Sequence, residues 1–429
     1  MKIIHYCFGL PPYSTGGLSI YAKDLASIQS ENNEVIVLFP GLKKSKLSLK
    51  KVNYINKKIK LYRLDGLLPS SINYGIKEPL DFIGNKDIKE IEKIFDKFGF
   101  IDILHIHTLQ GLYPEVIKYF KNKNTKIVYT THDFLPFSLT TKYYLDKEMV
   151  INSNLEQSIK APSTKALYLI RNPFFNKLKK IKILKKIFNK KVKGDKVITY
   201  DLEYKNNYLK KRNELYKFYE DMMNDIDIIH ANSNLSKEIY QTKFKNIKVI
   251  NITHNNIMKH SLIKNKNDIL NIGFFGEGTK DKGFLLLLRV LDKLYNENFK
   301  FVLNFYGPAN LNERPYLKYH GAYKFSELDN IYKNIDLVIM PAINVETFSF
   351  VVLEALSYKT PTIVSNSVGA KDLCNKDFII SSGEDLYNLL TKILNDKNIL
   401  NNYFNYELKI ESLKMHNDKI INEIYKGGK

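Results

Sequence analysis

Residues 341–356 read Pro-Ala-Ile-Asn-Val-Glu-Thr-Phe-Ser-Phe-Val-Val-Leu-Glu-Ala-Leu. The apolar run Leu337 to Met340 precedes them, and it predicts a buried strand that ends at Pro341. The segment from Phe350 to Leu356 has the length and spacing of a buried helix. The stretch from Ile335 to Ala370 therefore predicts a strand, a loop and a helix in that order.

Two glutamates in this stretch suggest what it could bind. A helix that begins near Thr347 to Ser349 directs its free backbone N–H groups and the positive end of its dipole at the loop, which suits a phosphate. Glu346 and Glu354 are eight residues apart and lie on roughly the same side of that helix. Two carboxylates beside a phosphate site suit the hydroxyls of a nucleotide sugar. By spacing alone, two ordinary surface glutamates explain the pattern equally well.

With its context, the stretch resembles a known family signature. Glu346 to Glu354 is similar to the E-x7-E motif of the retaining glycosyltransferases of family 4, the glycosyl transferases group 1, and the preceding strand and the following Pro361 to Gly369 also match. The resemblance implies the GT-B fold, with two Rossmann-like, doubly wound α/β parallel-sheet domains that face a cleft. It also implies transfer of a sugar from a UDP- or GDP-type nucleotide sugar to an acceptor hydroxyl, with retention of anomeric configuration.

Length and strand–helix alternation predict how the chain is divided. A chain of 429 residues is long enough for two domains, and repeated alternation favours parallel sheets. We predict an N-terminal acceptor-binding domain at 1–254, a linker at 255–268 and a nucleotide-sugar-binding domain at 269–400. A C-terminal helix at 401–429 could cross back to the first domain, as the resemblance implies.

The chain is strongly basic. Its 66 Lys and Arg residues outnumber 45 Asp and Glu residues, which gives a net charge of +21 and favours an anionic partner such as nucleic acid, an anionic membrane surface or a phosphorylated substrate. Cys7 and Cys374 stand far apart in the sequence, which indicates a reduced, cytoplasmic protein. No uninterrupted apolar stretch is long enough to span a bilayer, so any membrane contact is expected to be peripheral.

One segment concentrates this charge. Residues 157–194 contain no acidic residue, and apolar residues recur every three or four positions among the lysines of 177–193. The pattern predicts a basic amphipathic helix at an anionic membrane surface, or else a solvated helix or a disordered basic loop. In the resembled family, members that glycosylate lipid-linked acceptors often have basic and apolar surfaces in this domain. The resemblance therefore favours the helix at a membrane surface, at the inner face of the cell membrane. Nucleic acid is disfavoured, because no zinc, helix-turn-helix or aromatic RNA-binding signature is present.

The N-terminal half offers two candidate elements of the site. Gly16 and Gly17 follow the first predicted strand, where bare backbone can approach a phosphate or sugar, and the resemblance places such a loop beside the donor phosphates and the acceptor. Thr130-Thr131-His132-Asp133 resembles a family motif whose histidine reaches the donor sugar across the cleft. His105 and His107 end a neighbouring strand, where a structural role is the more common one.

The C-terminal half contains a candidate phosphate cradle with one departure. Residues 276–283 read Gly-Glu-Gly-Thr-Lys-Asp-Lys-Gly, and the family pattern is G-R-x4-K-G. Lys282 and Gly283 match, whereas Glu277 occupies the position of the arginine. Three alternatives remain: Lys280 replaces the arginine, Glu277 binds something else, or the protein is a weak or inactive member.

The resemblance assigns roles to these residues. Catalytic roles fall to His132, which would hold the sugar, Glu346, which would orient it, and Lys282, which would stabilise the leaving diphosphate. Donor binding would use the N–H groups near Phe348 and Ser349, Glu354 for the ribose, and Tyr323 near the base, together with Gly16, Gly17, Lys280 and Lys282. We expect no metal and no cofactor.

Other functions are compatible with the same pattern. A GT-B sugar-nucleotide epimerase would turn over donor without acceptor, and a phosphorylase would require inorganic phosphate. A non-catalytic GT-B subunit that binds glycan or a partner transferase is favoured by Glu277. If the chain were instead a basic nucleic-acid-binding protein, the match of the sequence around Glu346 and Glu354 to the family signature would have to be a coincidence.

Overall fold

The protein is described by a computed structural model that covers residues 1–71, 74–140, 142–171, 202–257, 264–265, 268–308 and 312–427. The chain divides into two compact units. The first contains Met1–His230, Lys243–Lys248 and Ile420–Lys429, and the second contains Ala231–Thr242 and Val249–Lys419. The predicted basic amphipathic helix falls mostly on residues 172–194, outside the described residues.

The first unit is built on a sheet of eight strands. They are β1 (Lys2–Tyr6), β2 (Glu34–Pro40), β3 (Ser48–Val52), β4 (Ile59–Asp65), β5 (Ile103–Ile106), β6 (Lys126–Thr130), β7 (Ile228–Ala231) and β8 (Ile247–Val249), in the order β3-β4-β2-β1-β5-β6-β7-β8. The pairs from β4 to β7 are parallel, and β3 runs antiparallel to β4. Strands β1, β2, β5 and β6 are largely apolar and almost wholly buried. Such continuous burial is expected for the strands of a parallel sheet that is covered on both faces.

Helices connect these strands. They are α1 (Gly17–Gln29), α2 (Ile88–Phe95), α3 (Pro114–Asn122), α4 (Lys147–Lys160), α5 (Thr164–Arg171) and α6 (Leu202–Asn224), with a final π-type helix at Ile420–Tyr425. The apolar faces explain the packing: Ile91, Ile94 and Phe95 of α2 are buried, and α2 contacts α3. The carboxyl ends of β1, β5 and β6 share one edge of the sheet, the edge at which parallel α/β sheets bind ligands.

The second unit contains a six-stranded parallel sheet. Its strands are β9 (Leu270–Phe275), β10 (Phe301–Tyr306), β11 (Leu317–Gly321), β12 (Leu337–Met340), β13 (Thr362–Ser365) and β14 (Ile379–Ile380), in the order β11-β10-β9-β12-β13-β14. All five neighbouring pairs are parallel. Its helices are α7 (Asn234–Tyr240), α8 (Phe284–Asn296), α9 (Leu328–Lys333), α10 (Phe350–Ser357), α11 (Gly383–Asn395), α12 (Asn398–Asn401) and α13 (Leu413–Lys419).

Several elements differ from their predicted form. The hairpin β3–β4 was not anticipated, because β3 is lysine-rich and partly exposed and so lacks the alternation of a half-buried strand. The predicted first-domain boundary at 254 stays a prediction; in the structure, the second unit includes Val249–Lys419. Within this unit, Thr253 Oγ1 donates to the carbonyl of Glu411, 3.0 Å away.

The predicted C-terminal helix at 401–429 is divided in the structure. Residues up to Lys419 belong to the second unit, and Ile420–Lys429 belongs to the first. Within the parts of the chain that the structure describes, no helix is both long enough and apolar enough to cross a bilayer.

Candidate active site

The turn between β9 and α8 packs closely against the end of β12 at Gly283. Gly283 has φ +73°, and a Cβ atom there would lie 1.7 Å from the carbonyl oxygen of Pro341. The carbonyl of Asp281 accepts hydrogen bonds from the backbone N–H groups of Ile343 and Asn344, at 2.8 and 3.1 Å. Only glycine fits such a position, so the predicted phosphate cradle and the loop after β12 form one rigid arrangement.

The loop that contains Glu346 is held on both sides. The N–H of Glu346 donates to Ser367 and its carbonyl accepts from Gly369, both at 2.9 Å. A Cβ atom on Gly369 would lie 2.1 Å from the carbonyl oxygen of Thr347. Ser233, the N-cap of α7, donates its hydroxyl to that same carbonyl at 2.6 Å. These contacts fix the backbone directly before α10.

The start of α10 leaves donors available. Helix α10 begins at Phe350, and its first intrahelical acceptor is the carbonyl of Ser349, which pairs with Leu353. Within the described residues, the N–H groups of Phe350, Val351 and Val352 have no hydrogen-bond acceptor. A helix start with unpaired N–H groups and the positive end of the dipole is suited to an anion.

Ser349 holds this helix start in a strained conformation. Its φ is +121° with ψ 103°, and its side chain makes no cap hydrogen bond. Non-glycine residues in such regions cost about 1–3 kcal/mol, and they cluster at functional sites. The strain supports the interpretation that this loop is shaped for binding.

We expect Ser349→Gly to stabilise the protein. Glycine relieves the backbone strain of about 1–3 kcal/mol but adds unfolded-state entropy of roughly 0.5–1 kcal/mol, so the net gain is about 0–2.5 kcal/mol. Thermal unfolding would measure it, with Ser382→Gly as the matched control. Ser382 caps α11 from an extended backbone and accepts from the N–H of Asp385, so its replacement should lower or leave unchanged the melting temperature. Equal effects of both changes would contradict strain at Ser349.

Lys282 and Glu346 form an ion pair beside this helix start. Lys282 Nζ lies 2.8 Å from Glu346 Oε1. The side chain of Lys282 is 35% exposed and that of Glu346 is 12% exposed, so the ammonium group remains accessible. The Glu346 carboxylate raises the pKa of Lys282 above its usual value, and Glu277 and Asp281 contribute further. Lys282 is therefore positively charged at neutral pH.

Glu277, at the position where the resemblance implies arginine, is exposed, and so is Lys280. The contribution of Glu277 to the pKa of Lys282 places its carboxylate within electrostatic reach of the ammonium group. Negative charge therefore surrounds Lys282, which offsets part of its attraction for an anion.

Glu354 lies deeper, on α10. It is 6% exposed, and its Oε1 atom lies 3.2 Å from Nε2 of the buried His254, without hydrogen-bond alignment. The other ring nitrogen, Nδ1, accepts from the N–H of Asn256 at 3.2 Å. Nε2 of His254 therefore faces Glu354, and the carboxylate is positioned to accept from hydroxyl groups.

Aromatic side chains surround this carboxylate. Burial, followed by the negative charge of Glu354, raises the pKa of both Tyr323 and Tyr332. The hydroxyl of Tyr332 is buried and has no partner among the described residues. Tyr323 packs edge-on against Phe275, with ring centroids 5.6 Å apart. A buried carboxylate with unsatisfied polar atoms and aromatic rings nearby suits a ribose and a base.

Gly16, Gly17 and His132 belong to the first unit. Gly16 precedes α1 with φ +115°, and a Cβ atom there would meet nothing within 4 Å, so the backbone is open to a ligand. Tyr21, one turn into α1, packs against the half-buried His132 with ring centroids 5.1 Å apart. Helix α1 and the end of β6 therefore lie side by side.

His132 shares a hydrogen bond with His107, which belongs to a group of three buried histidines. His5, His105 and His107 each offer a nitrogen within 4.8 Å of the others, a spacing that could hold a metal ion. Each ring nitrogen of these three already has a hydrogen-bond partner. A metal ion would therefore have to displace existing hydrogen bonds.

Some of these residues were not anticipated from the sequence. His254 lies beside Glu354, and Ser233 supports the loop that contains Glu346, but nothing local marks either one as a partner of residues about 100 positions away. The strand end before His254 is the one signal that could have suggested it.

Comparisons with known proteins match the part of the chain that contains Lys282, Glu346 and Glu354. Residues 268–396 match the family model described as "Glycosyl transferases group 1". Protein CapJ of Staphylococcus aureus is 28% identical over 185 residues, which cover 36% of this chain and 46% of CapJ. The match thus spans about half the length of that relative.

Solved structures match over nearly the whole chain. The crystal structure of Anabaena HepE in complex with UDP and glucose has a TM-score of 0.53 at 13% identity and covers 99% of both chains. The lipopolysaccharide outer core galactosyltransferase WaaB has a TM-score of 0.56 at 13% identity, with 99% and 100% covered. Together with the two parallel-sheet units, these likenesses show the GT-B fold and confirm the predicted fold class.

Proposed function

We propose that this chain is a glycosyltransferase that moves a sugar from a nucleoside diphosphate sugar to an acceptor hydroxyl. The observation that carries the proposal is the arrangement at α10, where unpaired N–H groups, the Lys282–Glu346 pair and the buried Glu354 follow one another. The matching family model over residues 268–396 supports the same activity.

The proposed donor site uses electrostatics at the diphosphate. Negative charge develops on the leaving diphosphate as the bond to the sugar breaks, and preorganised donors stabilise it. The N–H groups of Phe350 to Val352 and the ammonium group of Lys282 are such donors. Lys280, exposed on the same turn, is the proposed substitute for the arginine that Glu277 replaces. Glu346, already paired with Lys282, would orient the sugar.

Glu354 is proposed to bind the ribose hydroxyls, and Tyr323 to lie near the base. A buried carboxylate that accepts from two adjacent hydroxyls gives both affinity and orientation. The HepE structures are described with UDP and UDP-glucose, which favours UDP over GDP as the first nucleotide to test.

Finer parts of the proposal rest on resemblance. Retention of configuration follows from the similarity of Glu346 to Glu354 to the E-x7-E signature. A bacterial surface glycan as acceptor agrees with the description of WaaB as a lipopolysaccharide outer core galactosyltransferase. A cytoplasmic location at the inner face of the membrane stays a prediction, because the basic segment lies largely outside the described residues.

Thermal unfolding with UDP-, GDP- and ADP-sugars tests the donor site. At a ligand concentration of 100 Kd the folded state gains about 2.7 kcal/mol, which raises the melting temperature by about 5–10 °C. We expect this shift with one nucleotide, and in Glu354→Ala it should fall by more than half because charge-assisted hydrogen bonds are lost. Glu313→Ala, an exposed carboxylate in the same unit, is the matched control and should keep the full shift.

A non-catalytic GT-B subunit is the second candidate, and Glu277 favours it. A carboxylate within reach of Lys282 weakens a diphosphate site. This candidate predicts no thermal shift with any nucleotide sugar and no release of nucleoside diphosphate at high protein concentration. Either a shift or such release would exclude it.

A further inference from the structure

Three histidines in the first unit form a continuous hydrogen-bonded chain. His5 on β1 shares a hydrogen bond with His107, between Nδ1 and Nε2 at 3.0 Å. His107 then shares one with His132, between Nδ1 and Nε2 at 3.2 Å. At the other end, Nε2 of His5 lies 2.9 Å from Oε1 of Gln29, the last residue of α1. The chain therefore joins a buried amide to the histidine proposed to hold the sugar.

The rings in this chain are neutral at physiological pH. Burial lowers the pKa of His5 to about 4 and that of His132 to about 3, and it lowers the pKa of His107 well below its usual value. A neutral imidazole has one N–H donor and one acceptor nitrogen. In a chain of neutral rings, fixing the donor of one bond therefore fixes the donor of every other bond.

Gln29 fixes that first donor. Its carbonyl oxygen can only accept, so Nε2 of His5 must donate to it and Nδ1 of His5 must accept from Nε2 of His107. Nδ1 of His107 must in turn accept from Nε2 of His132. His132 is thereby left with a lone pair on Nδ1, for which no described residue is a partner.

In the structure, the Gln29 amide directs its oxygen at His5 and its nitrogen at Tyr425. Gln29 is 1% exposed, and its Nε2 group donates to the hydroxyl of Tyr425 at 3.2 Å. That hydroxyl lies 2.8 Å from Nδ1 of His105. Turning the amide over would reverse the donor in each of these bonds and in the whole histidine chain. The network thus has two internally consistent states, and the amide selects between them.

We propose that Gln29 is a positioning residue that keeps His132 in the Nε2–H tautomer, so that Nδ1 accepts a hydrogen bond from a sugar hydroxyl. The inference rests on the proposed function for the role of His132, but the tautomer is a property of the protein without substrate. Gln29 acts through His5 and His107 and touches no ligand.

The test is to read the tautomer of His132 directly. Long-range ¹H–¹⁵N correlation spectra of protein labelled at histidine distinguish Nε2–H from Nδ1–H rings, and His132→Asn assigns the signal. The wild type should show Nε2–H. Gln29→Met removes the amide at nearly constant volume and should give a mixture of both tautomers.

Gln110→Met is the matched control, because Gln110 is another buried amide of the same unit, and its Oε1 atom accepts from the hydroxyl of Ser70. It should leave the tautomer of His132 unchanged. If Gln29→Met fails to fold, Tyr425→Phe removes only the hydroxyl that accepts from the amide Nε2 group, and it should populate the second tautomer in part. A wild-type Nδ1–H ring, or no change in either variant of the network, would overturn the proposal.

Kinetics provides the link to function. We expect Gln29→Met to raise KM for the sugar donor by less than tenfold, with a smaller change in kcat, since one hydrogen bond is weakened and no charged group is lost. Because the spectra are recorded without substrate, failure of the tautomer prediction and failure of the transferase proposal give different results.

Discussion

Replacing Lys282 with alanine is expected to lower kcat/KM for the nucleotide sugar by about 10- to 100-fold. Hydrogen bonds to charged groups contribute about 1.5–3 kcal/mol, and each 1.4 kcal/mol is a factor of ten. Lys282 is charged at neutral pH, is partly exposed and pairs with Glu346, four residues before the start of α10. Its removal would also leave the carboxylate of Glu346 unpaired beside the proposed diphosphate site, which would add repulsion to the lost attraction.

Two further lysines sharpen this experiment. Lys333→Ala removes an exposed lysine at the end of α9 and should leave kcat/KM within about twofold of the wild type, because screened surface charges contribute little. Lys280→Ala should give an intermediate loss if Lys280 replaces the arginine of the family pattern. Melting temperatures of all three variants would show that they are folded. A Lys282→Ala enzyme with activity close to that of the wild type would contradict the proposed donor site.

Gly283→Ala is expected to destabilise the second unit by about 2–5 kcal/mol. A left-handed backbone costs a non-glycine residue roughly 1–2 kcal/mol, and forcing an atom into a filled space costs about 1–3 kcal/mol more. Here the added Cβ would lie 1.7 Å from the carbonyl oxygen of Pro341, so the turn after β9 and the end of β12 must separate. Thermal unfolding should record a fall of about 5–15 °C.

Gly321→Ala separates the two contributions. Gly321 has nearly the same φ, +75°, but a Cβ atom there would meet only the hydroxyl of Tyr319, at 4.0 Å. Its replacement should therefore cost only the backbone strain, about 1–2 kcal/mol. Equal losses in the two variants would mean that the contact with Pro341 does not determine the requirement for glycine at 283.

Local patterns made much of the fold predictable. The strand Leu337–Met340 was predicted at its observed bounds, and the helix that begins at Phe350 was predicted from its apolar spacing and its loop. Both segments are largely buried, so nearly all of their residues are apolar and the hydrophobic pattern is easy to recognise in the sequence. The hairpin of β3 and β4 was missed because β3 is a partly exposed edge strand, where lysines are favoured and the hydrophobic pattern is weak.

The charged residues of the candidate site could be predicted from the sequence, but the residues that hold them in place could not. Lys282 and Glu346 were both predicted as site residues, and the structure brings them to 2.8 Å. The roles of both residues stay predictions. Gln29 and His254 could not be selected, because a polar residue at the end of a helix or strand has many possible partners. Their importance depends on pairings that only the folded chain establishes.

The placement of Ile420–Lys429 in the first unit has a consequence for synthesis on the ribosome. The second unit is contained within residues 231–419, whereas the first unit requires residues from both sides of it. Tyr425 completes the buried contacts of Gln29 and His105 only after nearly 400 intervening residues have been made. We therefore expect the first unit to complete its packing only after Ile420–Lys429 has been synthesised, later than an N-terminal domain made of one continuous segment would.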